Sequence, residues 1–189
     1  MKRKEALKSI FDTIGRSDVV VSTTGLISRE IYSEFDSFRN VYVPGSMGLA
    51  SSIGLAIAVC RIDKRIIIID GDASLLMNLG SMVTIGASKP NNLTHIVLDN
   101  GAYGSCSEEK SLSSFANFAK IAKDVGYRHA KIAYSVNQLK EAILYSYGKE
   151  GPVFILAKIK LGGRRDFPRP LKLVEIKMRF MDFLSSNKN

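Results

Sequence analysis

Apolar residues along the chain fall into two kinds of run, and their alternation predicts the architecture. Short blocks rich in β-branched residues have the length of strands: Asp18-Val-Val-Val-Ser22, Asn40-Val-Tyr-Val-Pro44, Thr94-His-Ile-Val-Leu-Asp99, His129 to Ala133 and Val153 to Ile159. Ile66 to Ile69 form an unbroken isoleucine run, which no half-exposed strand tolerates; it predicts a strand buried on both faces, as in a parallel sheet. Between the blocks lie stretches with helical spacing: Glu5 to Ile14, Ser28 to Phe35, Leu49 to Val59, Leu75 to Ser88, Phe115 to Val125 and Val136 to Tyr147. Gly54, Ala56 and Ala58 suit a helix that approaches the sheet closely. Repeated strand–helix alternation predicts a doubly wound α/β fold, a mainly parallel sheet flanked by helices. One domain over residues 1–189 is expected, with a C-terminal tail and helix at about 161–186. On that last helix Leu173, Ile176, Phe180 and Leu184 form one apolar stripe, which is more often intrachain core than interface.

Composition narrows the class. The longest weakly polar run, Leu49 to Cys60, falls short of the ~20 residues of a membrane span, and no signal-peptide apolar core follows the basic start. Cys60 and Cys106 lack CxxC or histidine spacing, so no zinc or iron–sulfur site is readable; Cys60 is expected buried and Cys106 on a loop. A cytoplasmic protein with no membrane contact is the simplest expectation. Net charge is +9, and from Lys158 onward there are nine basic and three acidic residues. No zinc knuckle, RNP-like aromatic strand or basic helix with interleaved aromatics accompanies the charge, so nucleic acid is not the expected partner.

Candidate chemistry centres on the isoleucine strand. It ends in Asp70-Gly71-Asp72, a turn that uses glycine freedom, and Ser74 stands as a candidate N-cap for the apolar helix that follows. Asp72 is thereby delivered to the C-terminal edge of a buried strand beside a helix N-terminus, where ligands bind in open α/β sheets and where phosphates are attracted. A carboxylate would repel a phosphate unless a cation sat between them. Asn100 follows Asp72 by 28 positions, across one turn–helix–turn–strand unit, which brings both to the same sheet edge. One carboxylate, one amide oxygen and a backbone carbonyl from Gly101-Ala102 are hard ligands that suit Mg²⁺.

Gly71-Asp72-Ala73 followed by Asn100 resembles the thiamin diphosphate motif, Gly-Asp-Gly and then Asn-Asn, and Gly45-Ser-Met-Gly48 resembles the segment that contacts the thiamin rings. Across nearly the whole chain the sequence is similar to the sulfopyruvate decarboxylase β subunit and phosphonopyruvate decarboxylase family. Thr24-Gly25 with Ser28-Arg29-Glu30, Gly45 to Leu55, Leu75 to Gly86 and Val174 to Phe183 carry that similarity. The resemblance implies a thiamin diphosphate-binding fold, of the diphosphate-binding domain. It implies Mg²⁺ on Asp72, Asn100 and the Ala102 carbonyl, and amides near Ala73 and Ser74 on the diphosphate. Gly45, Ser46 and Met47 would lie against the rings, with Met47 as the wedge that bends the cofactor, and Tyr103 over its edge. The implied activity is decarboxylation of a small anionic 2-oxo acid, with the cofactor taking up the electrons released with CO₂.

The same resemblance implies that the glutamate activating the cofactor sits on a separate pyrimidine-binding domain, and 189 residues leave no room for both. No catalytic residue is therefore assigned in this chain, and Glu30 is a poor substitute. A companion α subunit and a hetero-oligomer are expected. The alternatives are a non-catalytic scaffold or regulatory module of the same fold, or half of an acetolactate synthase-like carboligase.

Several positions depart from the family pattern. Ala73 stands for glycine, Asp99 for the first asparagine, and Cys106-Ser-Glu-Glu-Lys-Ser111 replaces a Gly-x-Gln-x-Thr-like run. Two carboxylates in that loop count against a dianionic substrate, whereas Leu49 favours the sulfopyruvate side. His95 reads as core and His129 as solvated. Asn78 could support the metal loop or face a neighbouring helix, and Arg164, Arg165 and Arg169 could clamp an anion but more often form a solvated loop.

Overall fold

In a computed structural model of the chain, which describes residues 1–186, the predicted strands are β1 (Val19–Ser22), β2 (Asn40–Tyr42), β3 (Ile66–Gly71), β4 (Leu93–Asp99), β5 (His129–Ala133) and β6 (Val153–Lys158). They join in one six-stranded sheet of order β2-β1-β3-β4-β6-β5, parallel at every pairing. The isoleucine run explains itself here. Strand side chains alternate between faces, so Ile67 and Ile69 enter one core with Val20, Ile96 and Ile155, while Ile66 and Ile68 enter the other with Val21, Val97 and Phe154. All four isoleucines are fully buried, each stabilising the fold by about 1.5–3 kcal/mol.

Helices complete both faces. α1 (Arg3–Thr13), α2 (Gly25–Glu34) and α7 (Val136–Tyr147) close the first core, and α3 (Ala50–Cys60), α4 (Asp72–Met77), α5 (Gly80–Ser88) and α6 (Phe118–Asp124) close the second. α8 (Leu173–Ser185) packs over the edge strand β2 and serves both, with Ile176 in one core and Phe180 in the other. Its stripe is thus mainly intrachain core. Leu184 packs against the second core, but Leu173 is 44% exposed. Gly54 lets α3 lie against β3, since a methyl group there would run into the Ile68 side chain.

The structure departs from the pattern at three helices and one thiol. The helix expected from Leu75 to Ser88 is two, α4 and α5, because Asn78 leaves helical geometry (φ −143°, ψ 49°). Its side-chain amide donates instead to the Gly48 carbonyl at 3.0 Å and to Ser52 Oγ at 3.3 Å. α2 begins at Gly25, earlier than apolar spacing suggests. α6 begins at Phe118, where Asn117 caps it by accepting the Lys120 N–H at 3.0 Å. Cys60 ends α3 on its outer side and is exposed, not buried.

Candidate functional site

The chain leaves β1 for β2 on one side, and β3 lies on the other, so the strand order reverses between β1 and β3. At such a reversal the crossover connections diverge and leave a crevice beyond the strand ends. The registers place Ser22 beside Ile69, and Gly71 beside Leu98, so the segments after β1, β3 and β4 emerge together. A cleft is lined there by Thr23, Thr24 and Gly25 after β1, Gly71 to Ser74 after β3, and Asn100, Ala102 and Tyr103 after β4, with Met47 on its rim.

Ser74 fastens this cleft. It lies inside α4, whose N-cap position is Gly71, so it does not cap the helix as its sequence position suggested. Its hydroxyl is paired with Thr23 Oγ1 at 2.7 Å and accepts the Gly48 N–H at 3.0 Å. Gly48 has φ +94°, and a side chain there would press on Asn78 and Met77. With Asn78 holding the Gly48 carbonyl, both polar groups of Gly48 are engaged, and the 45–48 turn is pinned above α4.

Three aspartates end at this edge with different fates. Asp70 is fully buried; it accepts the Gly71 N–H at 2.8 Å and lies 3.6 Å from His95. His95 shares its other nitrogen with the Tyr127 hydroxyl at 3.1 Å, a core arrangement as expected. Asp99 accepts the Gly101 N–H at 3.0 Å and the Ser113 hydroxyl at 2.9 Å, and it pairs with the Lys158 ammonium, so it is a turn residue whose charge is neutralised. Asp72, 2% exposed, has no cationic partner among the described residues: the Ser111 hydroxyl donates to one oxygen, and the Asn100 N–H reaches the other at 3.4 Å. Burial, with Asp99 nearby, pushes the Asp72 carboxyl above its ordinary range, although the Ser111 and Asn100 donors oppose this.

A buried carboxylate with weak compensation is an attractive place for a cation. Among the described residues no group of three or more His, Cys, Asp or Glu could hold a metal ion. A hard cation on Asp72 would therefore need neutral protein oxygens and oxygens from its ligand, which is how Mg²⁺ is commonly held with phosphates. Asn100 Oδ1 accepts the Ala102 N–H at 2.9 Å, which fixes its side chain at the cleft and leaves a second lone pair on that oxygen.

The opposite wall is a loop closed on itself. Ser111 donates its N–H to the Gly101 carbonyl at 2.9 Å, and Tyr103 to the Glu109 carbonyl at 2.8 Å. This closure returns Ser111 to Asp72. The segment 160–172 lies against the loop. Arg165 donates to Glu108 at 2.7 Å and to the Cys106 carbonyl at 2.8 Å, while Arg164 offers its carbonyl to Arg3 at 2.6 Å. Arg3 also pairs with Glu30 at 2.5 Å in a buried contact. Glu30 is thereby occupied in an ion pair.

The structure brings Met47, Gly71, Asp72, Ala73, Ser74, Asn100, Ala102 and Tyr103 together around one cleft. Gly45 lies instead in an adjoining cavity of about 530 Å³, which shares Thr24, Gly25, Met47 and Ser105 with the cleft. Ser46 is exposed and lines neither. Sequence reasoning missed Thr23, Arg3 and Ser111 as site residues. Thr23 was findable, because the apolar run of β1 ends in small polar residues as that of β3 does. Arg3 and Ser111 lie 69 and 39 positions from Asp72 with no period linking them to it.

The chain is similar to known proteins. The family of the thiamine pyrophosphate enzyme C-terminal TPP binding domain matches residues 23–157. The sulfopyruvate decarboxylase subunit beta of Methanocaldococcus jannaschii is 37% identical over 182 residues, covering 96% of each chain. The phosphonopyruvate decarboxylase of Streptomyces viridochromogenes is 35% identical over 185 residues, 97% of this chain, which spans just under half (46%) of that protein's length. A solved structure from Mycobacterium smegmatis, of an enzyme described as thiamin diphosphate-dependent, superposes with a TM-score of 0.71 at 14% identity. It covers 85% of this chain and 32% of that one, and it bears on the fold alone.

Proposed function

This chain belongs to the thiamine pyrophosphate enzymes, as a C-terminal TPP-binding domain, and from that premise we propose that it is the cofactor-anchoring β subunit of a 2-oxo acid decarboxylase. The observation that carries the reading is Asp72, a buried carboxylate that no basic side chain among the described residues pairs with, set at the strand-order reversal with Asn100 and Met47 around the same cleft. Asp72, the Asn100 side chain and the Ala102 carbonyl would hold Mg²⁺, and the backbone at Gly71, Ala73 and Ser74 would meet the diphosphate. Gly45, Ser46 and Met47 would face the thiamin rings, with Met47 the flexible apolar wedge between them, and Tyr103 would close the edge. The bound cofactor supplies an electron sink for the bond that releases CO₂. The chain's own share is to bind and orient: the Thr23–Ser74–Gly48 hydrogen bonds fix the floor, and Ala102 to Ser105 of the loop 101–111 line the cleft beside it.

The name of the Methanocaldococcus relative, a subunit beta, supports a companion α subunit here. That subunit would carry the pyrimidine-binding domain and the activating glutamate, giving a hetero-oligomer with cofactor between the chains. The substrate would be a small anionic 2-oxo acid. The altered loop and Asp99 are the features that would favour a non-catalytic module; against it, Lys158 neutralises Asp99, and Arg165 neutralises Glu108, one of the loop's two carboxylates. Among the described residues no helix is long and apolar enough to cross a membrane.

Calorimetric titration of thiamin diphosphate with Mg²⁺ into the chain assembled with its companion subunit tests the reading. Asp72→Ala is expected to weaken binding by at least about 100-fold, beyond what losing an outer-shell partner does. Equal affinity in wild type and variant would sink the proposal. Release of CO₂ from a 2-oxo acid by the same assembly is the expected companion result.

A further inference from the structure

α8 carries a second apolar face that no described residue covers. Ile176 and Phe180 enter the two cores, whereas Val174, Met178 and Met181 follow a four-then-three spacing on the opposite side of the helix, continued one turn back by Leu171. Val174 is 76% exposed and Met178 56%. Single apolar residues on a surface need no explanation, but four in register over three turns make a seam. Charges border it unequally. Lys177 lies along one flank beside Met178, and Glu175 and Asp182 lie along the other beside Val174 and Met181. Glu175 is engaged by Lys172 at 3.3 Å, and Arg179, off the seam, by Asp36 at 2.5 Å. Among the described residues the side chains of Lys177 and Asp182 have no ion pair or hydrogen bond.

We propose that this seam pairs with the same seam on a second copy of the chain, the two α8 helices lying side by side and parallel about a two-fold axis. The charges choose both the occupant and the direction. In parallel pairing the residue before a central apolar position meets the residue five places further on in the other helix. Lys177 therefore meets Asp182 of the second copy, and the two-fold axis forms that pair twice. Antiparallel pairing would set the acidic flank against itself and Lys177 against Lys177. The seam is self-complementary in one direction only. Leu171, at one end, lines the cavity beside the cleft, and Phe183, near the other, packs on Phe38 ahead of β2 at 5.2 Å. α8 thus runs down the β2 edge of the sheet from the cleft end to the opposite end, whereas a companion chain over the cleft would lie across the strand ends. A two-fold axis parallel to α8 leaves both clefts open on the same side of the pair. The inference uses the surface of α8 alone and goes beyond the cofactor reading. Three turns fall short of a free-standing coiled coil, so the association is expected to be reversible.

Sedimentation equilibrium of the full-length chain over a range of concentrations, at low ionic strength, tests this. The wild type is expected to associate reversibly in pairs, and Met178→Glu to weaken the association by at least about 10-fold, since it sets two carboxylates face to face in the seam. Lys177→Glu and Asp182→Lys should each weaken it by about 3–10-fold, because each replaces two attractive contacts by repulsive ones. The double variant only exchanges the two charges and should return close to the wild type. Oxidised Met178→Cys should cross-link to its own copy, as the central position faces itself in parallel pairing, with the wild type and its exposed Cys60 and Cys106 as the control. A wild type that stays single at every concentration, or pairs that Met178→Glu leaves intact, overturns the proposal. Native mass spectrometry of the chain assembled with its companion subunit tests the other occupant. Met178→Glu is expected to halve the assembly and keep the companion; loss of the companion with the pairs kept would assign the seam to that subunit and also overturn the proposal.

Discussion

On the β1–β3 side of the crevice, Thr23, Asp72 and Ser74 are buried at the ends of neighbouring parallel strands, and neutral hydrogen bonds join Ser74 to the Thr23 hydroxyl and the Gly48 N–H. On the opposite side, the loop 101–111 closes on itself through backbone hydrogen bonds, and charged side chains tie it and the segment 160–172 to the rest: Lys158 on Asp99, Arg165 on Glu108 and Arg3 on the Arg164 carbonyl, contacts that span 59, 57 and 161 positions. The first wall is tied to the sheet by neutral hydrogen bonds, which salt is expected to leave in place. The second depends on half-exposed ion pairs, which salt screens and which contribute little individually. This division suits the proposed chemistry, since a cofactor anchor needs a fixed floor whereas a wall that meets substrates can be re-lined without disturbing the sheet.

Substitutions on each side test that contrast. The largest effect is expected at Ser74→Ala, which strands the Thr23 hydroxyl and the Gly48 N–H in a buried site. Urea unfolding should show a loss of about 2 kcal/mol; a loss near zero would mean the sheet-side wall is not fastened there. Lys158→Met removes the cation from Asp99, whose side chain is 2% exposed while that of Lys158 is 39% exposed. With screening taken into account, a loss of about 1 kcal/mol is expected, accompanied by faster amide exchange across residues 101–111. If exchange there stays at the wild-type rate, the ion pair does not hold the loop. The smallest stability change belongs to Arg165→Gln, at most about 0.5 kcal/mol. Limited proteolysis should nonetheless cut the 101–111 loop faster in that variant at low salt, with wild type and variant converging at high salt. Equal cleavage rates in both conditions would erase the distinction between the walls.

The sheet-side half of the cleft was legible because its signals are local. Ile66–Ile69 cannot be half-exposed, Asp70-Gly71-Asp72 must turn, and Asn100 follows one crossover unit later, so the strand, its end and its neighbour came from the pattern. Helix limits were less legible where another segment competed for the backbone. Asn78 breaks the expected 75–88 helix because the Gly48 carbonyl needs a donor. Ser74 suits an N-cap by position, but its hydroxyl is drawn to Thr23 and Gly48.

By itself, the sequence determined the buried parallel strands, the burial of the isoleucine strand on both faces and the delivery of Asp72 to a strand end, since hydrophobic period and turn chemistry act over a few residues. Only the tertiary structure decided that Ser111 sits on Asp72, that Lys158 and Arg165 neutralise two apparently disruptive carboxylates, and that Arg29 and Arg169 share one cavity. Those pairings join residues tens of positions apart whose side chains carry charge or hydroxyls. Partners of that kind are chosen by proximity in the folded chain and leave no period along it.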